Sequence, residues 1–411
     1  MSDQPAIDAP RVIADLRELE RRTGGPDGAR RVCWGPEWAE ARRFLGELLD
    51  ELDLSPEIDQ AGNLWVYLEG EGEPALALGS HLDSVPQGGW LDGALGVMAA
   101  IGVLRSWAQS GGRPPRSLAL VDWADEEGAR FGRSLFGSSA AAGTLSPDEV
   151  SGLRDSNGRG IQEVLAGCGV QLDNVPLAAS RLERLEALLE LHIEQGPVLE
   201  SEGVPIAAVS GTVGVERWRF RFEGRASHAG TTPMDARRDA GLAAASLGLV
   251  VGAVGRIRSG VATVGSIELE PGVPTVIPGK AEMVVDLRNA DAQALGEMLA
   301  EVKRASEGVA RDNGCETSAE LIWQIDPIEF DPGLVAMAGA ACKEIAGSDR
   351  VLVSGALHDA AEIARKLPAA MLFCASIGGV SHSPEEDSSE QNLELAIRAY
   401  ADLAARAMRR T

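Results

Sequence analysis

Aromatic residues make up only 4% of this 411-residue chain, so its core must come from Ala, Val, Leu and Ile within a hydrophobic fraction of 45%. Cysteine is scarce as well: Cys33, Cys168, Cys315, Cys342 and Cys374 are scattered, odd in number and free of any CxxC pairing. That argues against a disulfide framework or a thiolate zinc site and fits a reducing compartment. Basic residues are outnumbered, 38 against 62 acidic ones, for a formal net charge of −24. Such a surface repels phosphate backbones and anionic lipid, which sets nucleic acid and membranes aside as partners. The most apolar stretch, Ala240 to Val254, is rich in Gly and Ala and too short for a bilayer span, so a packed helix is expected there. The opening MSDQPAIDAP offers neither a basic n-region nor an apolar h-region. The sequence therefore predicts no signal peptide and a soluble, cytoplasmic protein.

A chain of this length is expected to form two domains. Up to about Ser210, helical segments such as Leu16–Glu20 and Glu37–Leu52 alternate with short apolar runs, the pattern of an α/β domain. Buried strands are predicted at Ala75–Leu78, Leu118–Trp123, Leu188–Ile193 and Ala369–Cys374, with Leu64–Leu68 entering from a turn at Gly62-Asn63. Between Thr212 and Trp323 the pattern changes. Trp218, Phe220 and Phe222 alternate with Arg217, Arg219 and Arg221, as in a half-buried strand. A helix at about Asp235–Gly252 follows, then strands Val261–Leu269 and Lys280–Arg288, a helix at about Asp291–Ala310 and a strand Thr317–Trp323. That order is βαββαβ, a ferredoxin-like unit complete in itself. The expected architecture is an α/β domain, residues 1–211 and 326–411, interrupted by an α+β insert, residues 212–325.

All five histidines sit in short polar or Gly-rich motifs: His81 in GSHLDSVPQGGWLDG, His192 in LHIEQG, His228 in ASHAGTTP, His358 in SGALHDA and His382 in GGVSHSPEED. A lone histidine is more often an ordinary core or surface residue; five of five in this setting are not read that way. His81, Glu126-Glu127, His192 and His382 each fall at or just past the C-terminal end of a predicted buried strand, where open α/β sheets bind ligands. Asp92 follows His81 by eleven residues and leads into an apolar helix from Gly93 to Trp107. It reads as a metal ligand before a plain N-cap, because His81 needs a partner. A His/Asp/Glu set without Cys suits zinc, manganese or cobalt alike. Asp83, two residues after His81, reads evenly as a turn residue or as a group orienting the His81 ring.

HLDSVPQGGWLDG, DEEGARF, LHIEQG, SHAGTTPM and SHSPEED, in this order over about Asn63 to His382, together resemble the metal-dependent N-carbamoyl-amino-acid hydrolases and allantoate amidohydrolases. These belong to the wider aminoacylase and carboxypeptidase group of di-metal hydrolases. The resemblance implies an aminopeptidase-like catalytic domain whose insert acts as lid and dimerisation domain. It implies two divalent metal ions, one held by His81, Asp92 and His192 and the other by Asp92, Glu127 and His382, with Asp92 bridging. Glu126 then matches the base that shuttles a proton from water to the leaving nitrogen. His228 becomes the oxyanion donor, in its own subunit or across a homodimer. Arg288, in VDLR, becomes the carboxylate-binding residue, with Gln195 and His358 also assigned to the substrate.

Two positions depart from the family pattern. Thr275 stands where a PxxxNVIP stretch usually carries a substrate-gripping asparagine, and Leu357 stands where SGAGHDA has glycine. Both changes remove polar contacts or room, which favours an N-carbamoyl or N-acyl amino acid with one carboxylate over allantoate, whose two ureido groups are polar. The rivals are the same machinery used on allantoate, on an N-acyl amino acid or on a dipeptide, and a dead relative acting as a binding module. The last requires a missing ligand or base, and none is missing. No GxSxG motif or cysteine beside a histidine supports a nucleophilic hydrolase.

Overall fold

The computed structural model describes residues 5–410. It divides into two compact units: the first runs to Gly211 and resumes at Glu329, and the second is Thr212–Ile328. The first unit opens with helices α1 (Ala9–Thr23) and α2 (Pro36–Asp50) and holds α3 (Ala94–Ser110). Helices α4 (Ala240–Ile257) and α5 (Ala292–Asp312) belong to the second unit, after which α6 (Pro332–Ala346) and α7 (Glu390–Ala407) complete the first. Strands β1 (Glu57–Ile58), β2 (Leu64–Leu68), β3 (Ala75–His81), β4 (Leu118–Trp123), β5 (Leu185–Ile193) and β6 (Ile206–Thr212) come before the insert. The second unit contains β7 (Gly214–Glu223), β8 (Ser227–His228), β9 (Val261–Glu270), β10 (Val276–Ile277), β11 (Lys280–Asn289) and β12 (Glu316–Ile325). Strands β13 (Ile328–Glu329), β14 (Val351–Ser354) and β15 (Ala369–Cys374) close the series.

The sheet of the first unit runs β13-β6-β15-β5-β3-β4-β2-β1, with β14 added beside β6. Its centre is parallel: β3 pairs with both β4 and β5, and β5 pairs with β15. Antiparallel β2 and β6 flank it. Strands β3, β4 and β15 are buried along their whole length, which is why they read as unbroken apolar runs. Helix α3 is buried on nearly every side, from Ala94 through Arg105, and packs with α1, α7 and the sheet into the main core. The sequence reading missed β6 and β14, whose alternation is broken by Gly and Ser.

The sheet of the second unit has the order β9-β11-β7-β12, all antiparallel. One face packs Phe220, Phe222, Met283, Val285 and Leu287 under α4 and α5. A two-residue ladder, β8 with β10, is added beside it and carries His228. Helix α4 begins at Ala240, not at Asp235. The Asp239 side chain caps it by accepting from the Leu242 N–H, while Arg238 stays extended because its carbonyl holds the Arg225 N–H. At 18 residues α4 is long and apolar enough to cross a membrane by length and composition, which corrects the shorter span read from sequence. Its Ala240, Ala243, Ala244, Leu247, Val251 and Val254 are buried in the unit's own core.

Candidate metal centre

The parallel strands of the first unit bring their C-terminal ends to one edge of the sheet. His81 is the last residue of β3 and His192 the last but one of β5. Glu126 and Glu127 lie on the turn just beyond β4, Asp92 on the loop from β3 into α3, and His382 on the loop beyond β15.

Asp92 stands at the meeting point. Its Oδ1 lies 3.1 Å from His192 Nε2 and 3.8 Å from His81 Nε2, while its Oδ2 lies 3.2 Å from His382 Nε2. Glu127 Oε2 is 3.4 Å from His382 Nε2. Two ligand groups follow, His81–Asp92–His192 and Asp92–Glu127–His382, each with donor atoms within 4.8 Å of one another. The N-cap of α3 is Gly93, the residue after Asp92. Glu126 Oε2 sits 3.7 Å from His81 Nε2, beside the first group.

The tautomers fit cation binding. His81 Nδ1 faces the Asp83 carbonyl at 3.1 Å and His192 Nδ1 the Ile193 carbonyl at 2.9 Å. A carbonyl only accepts, so each Nδ1 carries a proton and it is each Nε2 that faces the centre, where it can ligate once it is free of its own proton. Burial pushes His81 down to about 4. Burial also opposes charge on His192, but hydrogen bonding to Asp92 overcomes it and lifts the ring to about 9. His382 reaches about 9 chiefly through Asp92 as well. Burial and the charge of Asp92 raise Glu127 to about 7, and burial with neighbouring carboxylates drives Glu126 well above its usual range. Buried and nearly buried carboxylates beside rings that present Nε2 form a set in which a divalent cation can replace the ring protons, so the residues present fit metal ions.

Asp83 serves in both of the roles weighed for it. Its carbonyl, not its carboxylate, orients the His81 ring; the carboxylate accepts the Glu126 and Glu127 N–H groups, both at 3.2 Å, and fixes their turn. Gly93 is also structural: at φ 64°, a Cβ there would fall 2.4 Å from the His81 ring. Two supporting residues were missed from sequence. Arg31, fully buried, donates from Nε to the Leu82 carbonyl at 2.7 Å and clamps the segment between His81 and Asp83. Glu386, buried at the end of SHSPEED, accepts from the Leu91 and Asp92 backbones. The motif was visible, but nothing local distinguishes Glu386 from Glu385.

Gln195, at φ 57°, donates its amide to Asp92 Oδ2 at 3.0 Å and to Ser381 Oγ at 3.1 Å. His358 is buried, stacks edge-on against His192 with centroids 4.6 Å apart and meets Ser354 Oγ at 2.9 Å, so it backs a ligand ring. Within the second unit, His228 is exposed and its Nδ1 accepts the Gly230 N–H at 3.1 Å, which leaves a proton on Nε2. The Thr275 carbonyl accepts the Ala229 N–H at 2.9 Å, placing the PGVPTVIP segment beside His228. Arg288 Nε donates to Asp286 at 2.9 Å, and Arg217 holds the other oxygen of that carboxylate.

A sequence profile of peptidase family M20/M25/M40 matches residues 77–406. The chain is 35% identical to an N-carbamoyl-L-amino acid amidohydrolase of Geobacillus stearothermophilus, covering 92% of this chain and 93% of the relative. It is 33% identical to an allantoate amidohydrolase of Escherichia coli, covering 91% and 92%. A crystal structure of a hydantoinase/carbamoylase family amidase from Burkholderia multivorans superimposes with a TM-score of 0.89 at 31% identity, covering 99% of both chains.

Proposed function

We propose that this chain, which belongs to peptidase family M20/M25/M40 and to its hydantoinase/carbamoylase amidases, hydrolyses the linear amide of an N-carbamoyl amino acid. The observation that carries this reading is Asp92, whose two oxygens each face a separate set of imidazoles. Divalent cations bound there, zinc, manganese or cobalt, would acidify a water and polarise the scissile carbonyl. Glu126, whose Oε2 lies 3.7 Å from His81 Nε2 beside the first ligand group, would take the proton from that water and return it to the leaving nitrogen. His228, with its proton on Nε2, is assigned to the oxyanion. Arg288, steered by Asp286, is assigned to the substrate carboxylate.

The partner is a second copy of this chain, meeting it through the second unit. Edge strand β9 and helix α4 expose Val261 at 63%, Leu249 at 79% and Ile257 at 70% on that unit, more apolar surface than a solvated edge needs.

The substrate reading rests on Thr275 and Leu357. A threonine hydroxyl offers fewer contacts than an amide, and leucine narrows and dries the wall beside His358. The test is ammonia release from a panel of N-carbamoyl amino acids, N-acyl amino acids and allantoate, with cobalt, manganese and zinc in turn. A monocarboxylate N-carbamoyl amino acid should give the highest kcat/KM; allantoate outperforming all of them would show the reading of Thr275 and Leu357 to be wrong.

A further inference from the structure

We propose that Glu386 is a positioning residue that ties the Asp92 loop to the His382 loop and thereby governs the second metal position more than the first. The inference rests on the two-metal reading of the site.

The two metal groups are held in unlike ways. His81 and His192 stand on β3 and β5, whose backbones are locked in the sheet, and each ring is fixed by a carbonyl one or two residues away. His382 has no such frame. It lies beyond β15 on a loop, half exposed, with a left-handed backbone at φ 53°. What holds that loop to the Asp92 segment is a small set of contacts centred on Glu386, which is 1% exposed. Its Oε1 accepts the Leu91 N–H at 3.1 Å and the Asp92 N–H at 3.0 Å, and its Oε2 accepts the Ser381 hydroxyl at 2.8 Å. Ser381 immediately precedes His382, and its oxygen lies 3.4 Å from Asp92 Oδ2. Trp90 adds a parallel bond, Nε1 to Asp387 Oδ1 at 3.2 Å.

One carboxylate thus sets the backbone of the bridging ligand and the neighbour of the second-site histidine, residues 294 positions apart from it or less than six. Gly89 makes the approach possible, because a Cβ there would lie 2.0 Å from the Glu386 carboxyl. Removing the carboxylate leaves two buried N–H groups without an acceptor and frees the His382 loop, while the carbonyls that orient His81 and His192 are untouched.

The experiment titrates stripped wild type, Glu386→Ala, Glu386→Gln and Ser381→Ala with buffered free Co2+ and reads metal per subunit and the two affinities. Wild type should bind two equivalents. Glu386→Ala should weaken the second affinity roughly 10–100-fold, the loss typical of a group that orients a ligand, and the first, which it reaches only through Asp92, by clearly less. Glu386→Gln, which retains an acceptor for both N–H groups and can donate to Ser381, should recover most of the second affinity. Ser381→Ala should weaken the second equivalent alone, by less. Equal weakening of both equivalents in Glu386→Ala, or none, overturns the proposal; so does an unchanged second equivalent in Ser381→Ala, which decides the matter if Glu386→Ala does not fold. Wild type binding fewer than two equivalents would instead sink the two-metal reading itself.

Discussion

On the open face of the second unit's sheet, Arg217 and Arg288 share Asp286, and Arg219 and Arg221 share Glu282 and Glu320. These side chains are part exposed, and each guanidinium has a carboxylate beside it. In the first unit, Asp92, Glu126 and Glu127 are buried, and what faces them is imidazole. Imidazole balances such carboxylates only while it keeps a second proton, and a ring that gives that proton up leaves them to a cation, so this cluster is incomplete by itself in a way the ladder is not. The same residue types thus build a self-sufficient surface in one unit and a cation receptor in the other.

The comparison breaks most visibly at Asp92. Asp92→Ala should lose both metal equivalents and all measurable turnover, because it alone faces both imidazole groups; retention of one tightly bound metal, by elemental analysis, would show that the two groups are separate sites. Next comes Glu126→Gln, which keeps the shape and removes the proton acceptor. Turnover should fall by roughly 10²–10⁴ with metal content near normal, and a variant within about threefold of wild type is far too active for a lost base.

A third measurement sharpens the contrast through protons. In the metal-free protein His192 and His382 titrate at about 9, above the ordinary histidine value, so both are charged at neutral pH and lose their protons only as pH rises through 9. A ligand must be neutral, so metal uptake should release protons and tighten as pH rises from 7 towards 9. Calorimetry in buffers of different ionisation enthalpy reads this directly, and uptake without proton release contradicts it. The smallest effect belongs to the ladder: Arg221→Gln should leave the melting temperature within about 2 °C of wild type, with the difference fading in salt. A large loss would mean that the exposed charges do more than balance one another.

Much of the site was legible because it is built on strand ends. The apolar runs of β3, β4, β5 and β15 announce themselves, and polar residues just past them have few places to go but one edge of the sheet. What stayed hidden depends on pairing between distant segments. Glu386 meets Asp92 across 294 residues and Arg31 meets Leu82 across 51, with no local pattern to reveal either. Asp83 was readable by its closeness to His81, but which of its groups faces the ring was not: the carbonyl does so at 3.1 Å while the carboxylate fixes the Glu126-Glu127 turn. The late start of α4 reflects competition, since Arg238 pairs with Arg225 as a bridge before the Asp239 cap can begin the helix. The ladder β8–β10, only two residues long on each side, is too short for any alternation to show.

Gly93 carries a consequence for how such a protein can diverge. Every single-nucleotide change to its codon that alters the residue adds a Cβ or ends the chain, and a Cβ there meets the His81 ring at 2.4 Å on a backbone at φ 64°. Any side chain at this position must therefore displace the His81 ring. Thr275, exposed, and Leu357, only half buried, have no comparable wall around them. On the proposed reading, substitutions at Thr275 and Leu357 would change substrate preference and leave the residues that face Asp92 in place, so selectivity and the metal centre would be separable by mutation.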